Sequence, residues 1–421
     1  MNHTQKRVLS ILAAAAMTCG ALPQSTPLSL LQPVLTANAE ASAYEDFSYE
    51  EKEDGGITIK EYIGSDDAVE IPAEIDGKPV TKIEDWAFFN KQISSVLIPD
   101  SITTIGSQAF NSCTKLKEVV LPGYITAIAD GSFSGCSSLT KVIMPGCVKS
   151  IGMNAFSSCT ELKDLHIPES VTSIGGSAFR DTAWLKKKQE ENPLVIVNHI
   201  LVDGSTCKNE VGIPEDVTSI CDLAFNGCKT ITSVFIPSGV ESIGSDAFYN
   251  CSALKYIDMQ DGLKKIGDNA FYCAGLENIR IPDTVTEIGT AAFFGCENLQ
   301  FVELPENLKG LKSGRMGTFQ GCTSLETIEI PESVTNIGVM AFATCTLLGR
   351  VIIHGSTTTI GARAFYGCAQ NLTLCGYAGS PAQTYASQND LNFKELNAKF
   401  SGVSLTLTDD LGLNFFATGV P

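Results

Sequence analysis

The chain has 421 residues, a formal charge of −18 at neutral pH and a hydrophobic content of 44%. Its length alone would correspond to two or three globular domains, and so much apolar sequence excludes a disordered protein. The acidic balance argues against a nucleic-acid partner, because phosphate binding depends on Lys and Arg, and against docking on an anionic membrane surface. Fifteen cysteines leave disulfides, metal sites and structural thiols open until their spacing is considered.

The first residues have the layout of a secretory signal peptide. Lys6 and Arg7 precede an apolar run over residues 8–21, and a small-residue stretch follows down to Ala37-Asn38-Ala39. The run is too short for a transmembrane helix, and Thr18 before Cys19 is a poor setting for lipid attachment. The sequence therefore predicts a signal peptide over residues 1–39. It also predicts a secreted or cell-surface protein with no membrane insertion after cleavage.

A 23-residue period organises the chain after residue 70. Seven of the eleven intervals between successive members of a phenylalanine series are 23 residues, and one interval is twice that. The series is Phe88, Phe110, Phe133, Phe156, Phe179, Phe225, Phe248, Phe271, Phe293, Phe319, Phe342 and Phe365. Ile-Pro or Leu-Pro pairs keep the same step, and the aligned unit reads L-x-x-V-x-I-P-x-x-V-T-x-I-G-x-x-A-F-x-x-C. Such a period is typical of a stacked array, so the sequence predicts one solenoid in place of several globular domains.

Each part of the unit has a physical interpretation. Leu116, Val119 and Leu121 have the spacing of a strand, which the following proline ends. The glycine after the second isoleucine indicates a bend that a Cβ would obstruct. A single coil cannot bury its apolar side chains alone, whereas stacked coils bury them against each other. The predicted fold class is a β-rich solenoid with one short strand per coil.

Most of the cysteines belong to this repeat. Nine stand three residues after a repeat phenylalanine, and Cys273 stands two after Phe271, so we expect a ten-member inward ladder. The nine are Cys113, Cys136, Cys159, Cys228, Cys251, Cys296, Cys322, Cys345 and Cys368. Reduced structural cysteine is the favoured interpretation, because free cysteine is commonly buried; disulfides between coils are the alternative. The absence of any C-x-x-C pair disfavours zinc, and the sequence predicts no metal and no cofactor.

The repeat units over residues 71–371 resemble the 23-residue leucine-rich repeats of the BspA-like class of bacterial surface and secreted proteins. The resemblance extends to the flanks. It implies an N-terminal β cap over residues 40–70 and a C-terminal strand–helix–strand cap over residues 372–397. Members of the class are associated with attachment to host matrix proteins or to other bacteria, which implies a non-catalytic adhesion module.

Three segments depart from the repeat. Residues 182–210 form a variant module, with a helix expected over residues 184–191 and strands over residues 193–197 and 199–202. Three extra residues around positions 310–317 predict a bulged loop. Residues 398–421 alternate like a hairpin and resemble the opening of a further, truncated β module.

No catalytic constellation is evident. The sequence contains no G-x-S-x-G, phosphate-binding loop, H-E-x-x-H or calcium-loop pattern. Beyond the predicted signal peptide, His166, His199 and His354 fall in separate coils. A Cys207–His199 pair is conceivable, but nothing in the sequence would orient the base. We predict that the protein is not an enzyme and assign no catalytic residue.

The outward positions of the strand form the predicted binding face. With the repeat leucine as position 1, positions 4 and 6 point inward and positions 3 and 5 outward. Position 5 carries Leu97, Val120, Ile143, His166, Phe235, Asp258, Arg280, Glu303, Glu329 and Ile352. Position 3 carries Ser95, Glu118, Lys141, Asp164, Ser233, Tyr256, Asn278, Phe301, Thr327 and Arg350.

Exposed apolar rows on a solenoid often mark docking sites, although Val, Ile and Phe also favour strands for their own sake. The binding candidates are Leu97, Val120, Ile143, His166, Phe235, Tyr256, Arg280, Phe301 and Arg350. The expected partner is a protein or glycan at a cell or matrix surface, bound by a monomer. The alternative is a structural spacer that presents a missing C-terminal domain.

Overall fold

The structure, a computed structural model, describes residues 44–312, 314–354 and 359–396. The predicted signal peptide and the predicted tail module over residues 398–421 lie outside the described residues. Within them the chain winds as a succession of short strands and turns around one continuous apolar core. The solenoid predicted from the 23-residue period is confirmed.

Each regular coil begins with a strand that includes positions 3 and 4 of the repeat, and we call the stack of these strands the first ladder. Neighbouring strands are parallel and keep equivalent positions in register, as in Lys141 opposite Glu118. The strands of the first ladder are Ala68–Glu70, Ser95–Leu97, Glu118–Val120, Lys141–Ile143, Asp164–Leu165, Asn209–Gly212, Ile231–Ile236, Tyr256–Met259, Asn278–Arg280, Phe301–Glu303, Thr327–Ile330, Arg350–Ile353, Thr373–Gly376 and Asn392–Glu395.

A second short strand follows in each regular coil, so the expectation of one strand per coil was incomplete. These strands cover the T-x-I segment and form a second parallel ladder on another side of the solenoid, as in Ser242–Ile243 beside Lys265–Ile266. Two residues are too few to show alternation in a sequence, which is why this strand reads as a turn. Its members are Ile57–Tyr62, Lys78–Ile83, Thr104–Ile105, Ala127–Ile128, Ser150–Ile151, Ser173–Ile174, Ile200–Asp203, Ser219–Ile220, Ser242–Ile243, Lys265–Ile266, Glu287–Ile288, Asn336–Ile337 and Thr359–Ile360.

The third side of each coil consists of tight turns around the repeat phenylalanine. The N–H of Phe248 donates to the Ala270 carbonyl of the next coil at 2.7 Å, and equivalent bonds recur along the array. Residues two places before and after the phenylalanine are left-handed, as in Asp246 (φ 54°) and Asn250 (φ 58°). Asp and Asn tolerate this conformation better than most residues, and they recur at these places for that reason.

The repeat phenylalanines form two columns of stacked rings in the core. Successive centroids are 4.7 Å apart for Phe88 and Phe110 and 6.1 Å apart for Phe156 and Phe179. Every ring in the series is buried. Burial of one such side chain is worth about 1.5–3 kcal/mol, and each ring is buried only because a neighbouring coil covers it.

The variant module separates the two columns. Helix α1, Ala183–Glu191, is capped by Thr182, whose Oγ1 accepts from the Leu185 N–H at 3.0 Å. Trp184 packs on Phe179 with centroids 4.8 Å apart and closes the first column. Strand Val195–Val197 then pairs antiparallel with Ile200–Asp203, which continues the second ladder.

Both ends of the array are covered by elements that extend its core. Strand Phe47–Glu51 pairs antiparallel with Ile57–Tyr62, and Glu74–Ile75 pairs antiparallel with Lys78–Ile83. Tyr62 stacks on Phe88 at 5.5 Å. At the other end helix α2, Pro381–Gln388, places Tyr385 edge-on against Phe365 at 5.8 Å.

The repeat glycine marks the closest approach between coils. A Cβ on Gly244 would lie 2.4 Å from the Asp222 backbone nitrogen, a distance that no real Cβ shows and that backbone atoms cannot relieve by a rotamer change. The bend predicted at this place therefore reflects the contact between neighbouring coils.

Gly244→Ala should consequently destabilise the protein by about 1–3 kcal/mol, as overpacking does in other cores. Urea unfolding at neutral pH measures the change. Gly146→Ala is the matched control, because a Cβ at Gly146 meets nothing within 4 Å. Equal destabilisation by the two substitutions would contradict the close-approach explanation.

Candidate binding face

The first ladder presents alternate side chains to core and solvent. In the coil of strand Glu118–Val120, Val119 and Leu121 are buried while Glu118 and Val120 are half-buried. Because the strands are parallel and in register, equivalent outward residues of successive coils form columns along the solenoid. The surface of these columns at positions 3 and 5 is called the strand face below.

The N-terminal part of the strand face is a short apolar strip. Leu97, Val120 and Ile143 are all half-buried and occupy the same column, with Val120 directly opposite Ile143. His166 continues the column as an exposed residue. In the neighbouring column Lys141 Nζ lies 3.3 Å from Asp164 Oδ2, so this side of the strip is charged and paired.

The C-terminal part combines aromatic rings with charges. Phe235, Tyr256 and Phe301 expose 38%, 53% and 40% of their surface. Arg280 Nε lies 3.3 Å from Glu303 Oε1 in the adjacent strand, and Arg350 is exposed two coils further on.

Glu277, at position 2 of its coil and so beside the strand face, holds the ring of Tyr256 in place. Tyr256 Oη donates to Glu277 Oε2 at 3.0 Å. Lys255 Nζ lies 2.9 Å from the other carboxylate oxygen. These contacts lower the pKa of Glu277, with the Lys255 hydrogen bond the largest cause.

The structure divides the predicted binding face into two parts. The first ladder stops at Asp164–Leu165 and resumes at Asn209–Gly212, and helix α1 belongs to the segment between them. The main-chain N–H of Trp184 donates to the Leu162 carbonyl at 2.7 Å. The start of α1 is therefore hydrogen-bonded to the coil that holds the last strand of the first part. Leu97, Val120, Ile143 and His166 lie in the N-terminal part, and the other candidates lie beyond α1.

The histidines do not form a catalytic arrangement with a cysteine in the described residues. His199 is exposed, with Nδ1 2.9 Å from the Asp216 carbonyl oxygen, whereas Cys207 is buried and its burial raises the pKa of the thiol to about 11. His354 Nε2 is hydrogen-bonded to Glu329, which raises the pKa of the imidazole.

The cysteine ladder has nine inward members, because Cys273 does not belong to it. Cys273 occupies a left-handed turn position (φ 52°) and is half-buried, while Ala274 takes the inward place. The other thiols donate to a main-chain carbonyl of the preceding coil. Cys251 Sγ, for example, lies 3.1 Å from the Phe225 carbonyl oxygen. Cys228 differs only in its acceptor, because its Sγ lies 3.4 Å from the carbonyl oxygen of Cys207 and not from that of a repeat phenylalanine.

All fourteen cysteines of the described part of the chain are free. No group of three or more histidine, cysteine or acidic side chains in that part has metal-ligand geometry. Burial raises the pKa of the Cys221 and Cys251 thiols to about 12. Such thiols remain protonated at neutral pH and are poor nucleophiles, which supports a structural role as hydrogen-bond donors.

Stability should therefore fall as pH rises from about 9 towards 12, because unfolded thiols near pKa 8.5 ionise while these folded thiols keep their protons. Each such thiol contributes at most about 1.4 kcal/mol per pH unit. Urea unfolding under reducing conditions at pH 7, 9 and 10 measures the trend. Cys221→Ala with Cys251→Ala should make the trend less steep, although other buried thiols with raised pKa remain, and the thiol-free core substitution Val240→Ala should leave the slope unchanged. An unchanged slope in the double variant would contradict this role.

Sequence reasoning missed an aromatic row on the turn side. Tyr249 stacks on Tyr272 at 4.7 Å, and Tyr272 stacks on Phe294 at 4.6 Å. All three are half-buried and directly follow a repeat phenylalanine. The same 23-residue alignment would have revealed them if the residue after each phenylalanine had been read as a column.

The cavities of the described part of the chain include two shallow ones. One of about 260 Å³ is lined by Glu287, Ile288, Leu311 and Lys312 among others, and one of about 430 Å³ lies between Thr359–Ile360 and helix α2. Glu287 is already paired with Lys312, which lowers its pKa. Neither cavity is lined by a cysteine, a serine or a histidine.

The comparisons with known proteins identify the repeat. The BspA type leucine rich repeat region matches this chain in six copies, within residues 81–199, 203–314 and 264–376. The chain therefore belongs to the BspA type leucine-rich repeat family. Leucine-rich repeat families are generally non-catalytic binding modules.

The chain is also similar to several solved structures. A leucine-rich cell surface protein of Faecalibacterium prausnitzii A2-165 is 30% identical, covering 81% of this chain and 96% of that one with a TM-score of 0.35. A leucine-rich repeat protein of Bacteroides ovatus is 25% identical, covering 84% and 99% with a TM-score of 0.35. The pneumococcal vaccine antigen PcpA is 16% identical, covering 84% and 98% with a TM-score of 0.42.

No curated relative matches the chain. Among the residues that the structure describes, no helix combines the length and apolar character needed to cross a membrane.

Proposed function

We propose that this protein is an exported, surface-exposed adhesion module that binds a protein or glycan through its strand face. The N-terminal sequence supports export, with cleavage after Ala39. The likeness to a bacterial cell surface protein supports a location outside the cell. The proposed module acts as a monomer, and nucleic acid is not among its proposed partners.

The observation that carries the proposal is the contrast between the two kinds of ladder position. Inward residues vary little, because every coil must fill the same core, whereas outward residues change from Leu97, Val120 and Ile143 to Tyr256, Arg280 and Phe301. The scaffold leaves these positions free to carry specificity. The apolar strip and the exposed rings are surfaces from which a partner would exclude water.

Replacing Leu97, Val120 and Ile143 together with Thr tests the apolar strip. Thr is β-branched and favours strands, so the coils should fold while the apolar contact is lost. Full-chain protein is assayed against matrix proteins, whole bacterial cells and cell-wall or plant polysaccharides. We expect at least about a tenfold loss of binding, given about 0.8 kcal/mol per buried methylene.

The matched control places Thr at three exposed apolar residues of the turn side, Ile63, Met153 and Tyr366. Undiminished binding by the strand-face variant, or equal loss in the control, would contradict the proposed site. If the wild-type chain binds none of these surfaces, the structural spacer becomes the better account.

A further inference from the structure

We infer that the C-terminal part of the strand face binds a basic polypeptide segment, rich in Arg or Lys. The inference rests on the proposed function and names its partner by chemistry. The surface concerned is called the acidic aromatic surface and consists of Phe235, Tyr256, Asp258, Phe301, Glu303 and Glu329.

Carboxylates dominate this surface taken together with position 8 of the same coils. Across the four coils that begin at Leu254, Leu276, Leu299 and Leu325, positions 3, 5 and 8 of the repeat hold seven carboxylates and one cation, Arg280. The carboxylates are Asp258, Asp261, Asp283, Glu303, Glu306, Glu329 and Glu332, and all are exposed.

The carboxylates act on the same region of space. Neighbouring coils are about 4.8 Å apart, which is shorter than the Debye length of about 8 Å at physiological salt. The imidazole of His354 shows the combined effect of three of these carboxylates, because Glu329, Glu306 and Glu332 all raise its pKa. An approaching chain would therefore meet one negative strip, bordered by His354 and Arg350.

Three aromatic rings are set among these charges. Phe235 lies directly opposite Asp258 in the ladder, and Tyr256 occupies the outward position next to Asp258 on its own strand. Phe301 and Glu303 are likewise the two outward residues of one strand. Aromatic faces attract cations and also cover the apolar stems of Lys and Arg, so rings beside carboxylates fit both parts of a basic side chain.

The surface already accommodates one guanidinium. Arg280 lies against Glu303 with Nε 3.3 Å from Oε1, and both side chains remain largely exposed. A ligand arginine at this place would compete with Arg280 for the same carboxylate. Arg280 should therefore weaken the binding of a basic segment.

The charge also distinguishes between partners. An anionic polysaccharide or a nucleic acid would be repelled by the strip, and a neutral glycan would gain nothing from its charge. The N-terminal part of the strand face, with Leu97, Val120 and Ile143, offers apolar contact in place of this field.

Fluorescence anisotropy with the full chain tests the inference. The probe is a labelled peptide of alternating Arg and Ser, compared with a Glu and Ser peptide of equal length and a neutral linear oligosaccharide. We expect only the basic peptide to bind, and its affinity to fall steeply as NaCl rises. Asp258→Asn, Glu303→Gln and Glu329→Gln together should weaken binding about tenfold, and Arg280→Gln should strengthen it.

A charge-matched control separates the surface from the net charge. Glu53→Gln, Glu74→Gln and Glu190→Gln remove the same number of exposed carboxylates elsewhere and should change affinity less than about twofold. An equal loss in this control, or preference for the oligosaccharide, would overturn the inference.

The two proposals fail in different ways. If the chain binds a surface ligand through Leu97, Val120 and Ile143 but ignores the basic peptide, this inference is wrong and the proposed function stands. If it binds no ligand in either assay, both are wrong.

Discussion

The rest of the structure depends on one constraint, which is that a coil of this chain can bury its apolar side chains only against the next coil. Phe248, for example, is covered by Phe225 on one side and Phe271 on the other, with centroids 4.8 and 5.2 Å away. The covering works only when equivalent atoms superpose along the axis. The Phe248 N–H to Ala270 carbonyl bond and the parallel ladders hold that superposition.

The same constraint accounts for residues that would otherwise suggest chemistry. The repeat glycine is dictated by the backbone of the preceding coil, as at Gly244. The ladder cysteines supply small side chains whose thiols satisfy main-chain carbonyls in a neighbouring coil, as Cys251 does for Phe225. A cysteine-rich composition thus becomes a consequence of stacking. The outward positions are not part of the core packing between coils. Their residues can therefore vary and can determine binding specificity.

Much of the fold could be predicted because many 23-residue units can be aligned. The role of each position then follows from all units together, even where a single short segment is ambiguous. The phenylalanine series, the first strand and the inward thiols all follow from aligning the units. The second strand could not be read, because two residues such as Ser242 and Ile243 gain their strand conformation from neighbouring coils and not from their own pattern. The prediction that Cys273 belongs to the inward ladder was wrong, because counting residues from Phe271 does not show that the turn places Ala274 inward.

The candidate site was predictable in part. Alternation along the strand identifies the outward residues, since the core fixes which positions face inward. It cannot show that helix α1 falls between Asp164–Leu165 and Asn209–Gly212 and divides the face. It also cannot show which exposed charges are already paired, as Arg280 is with Glu303.

The central claim is that stability depends on whole coils in register, and deletion of one coil tests it most directly. Removing residues 226–248, one full 23-residue unit that joins Phe225 to Tyr249, keeps every remaining contact equivalent. Thermal unfolding followed by circular dichroism should then remain cooperative, with the β signal of the parent chain. Removing residues 226–236 breaks the register and should abolish the cooperative transition. Equal behaviour of the two deletions, folded or unfolded, would contradict the account.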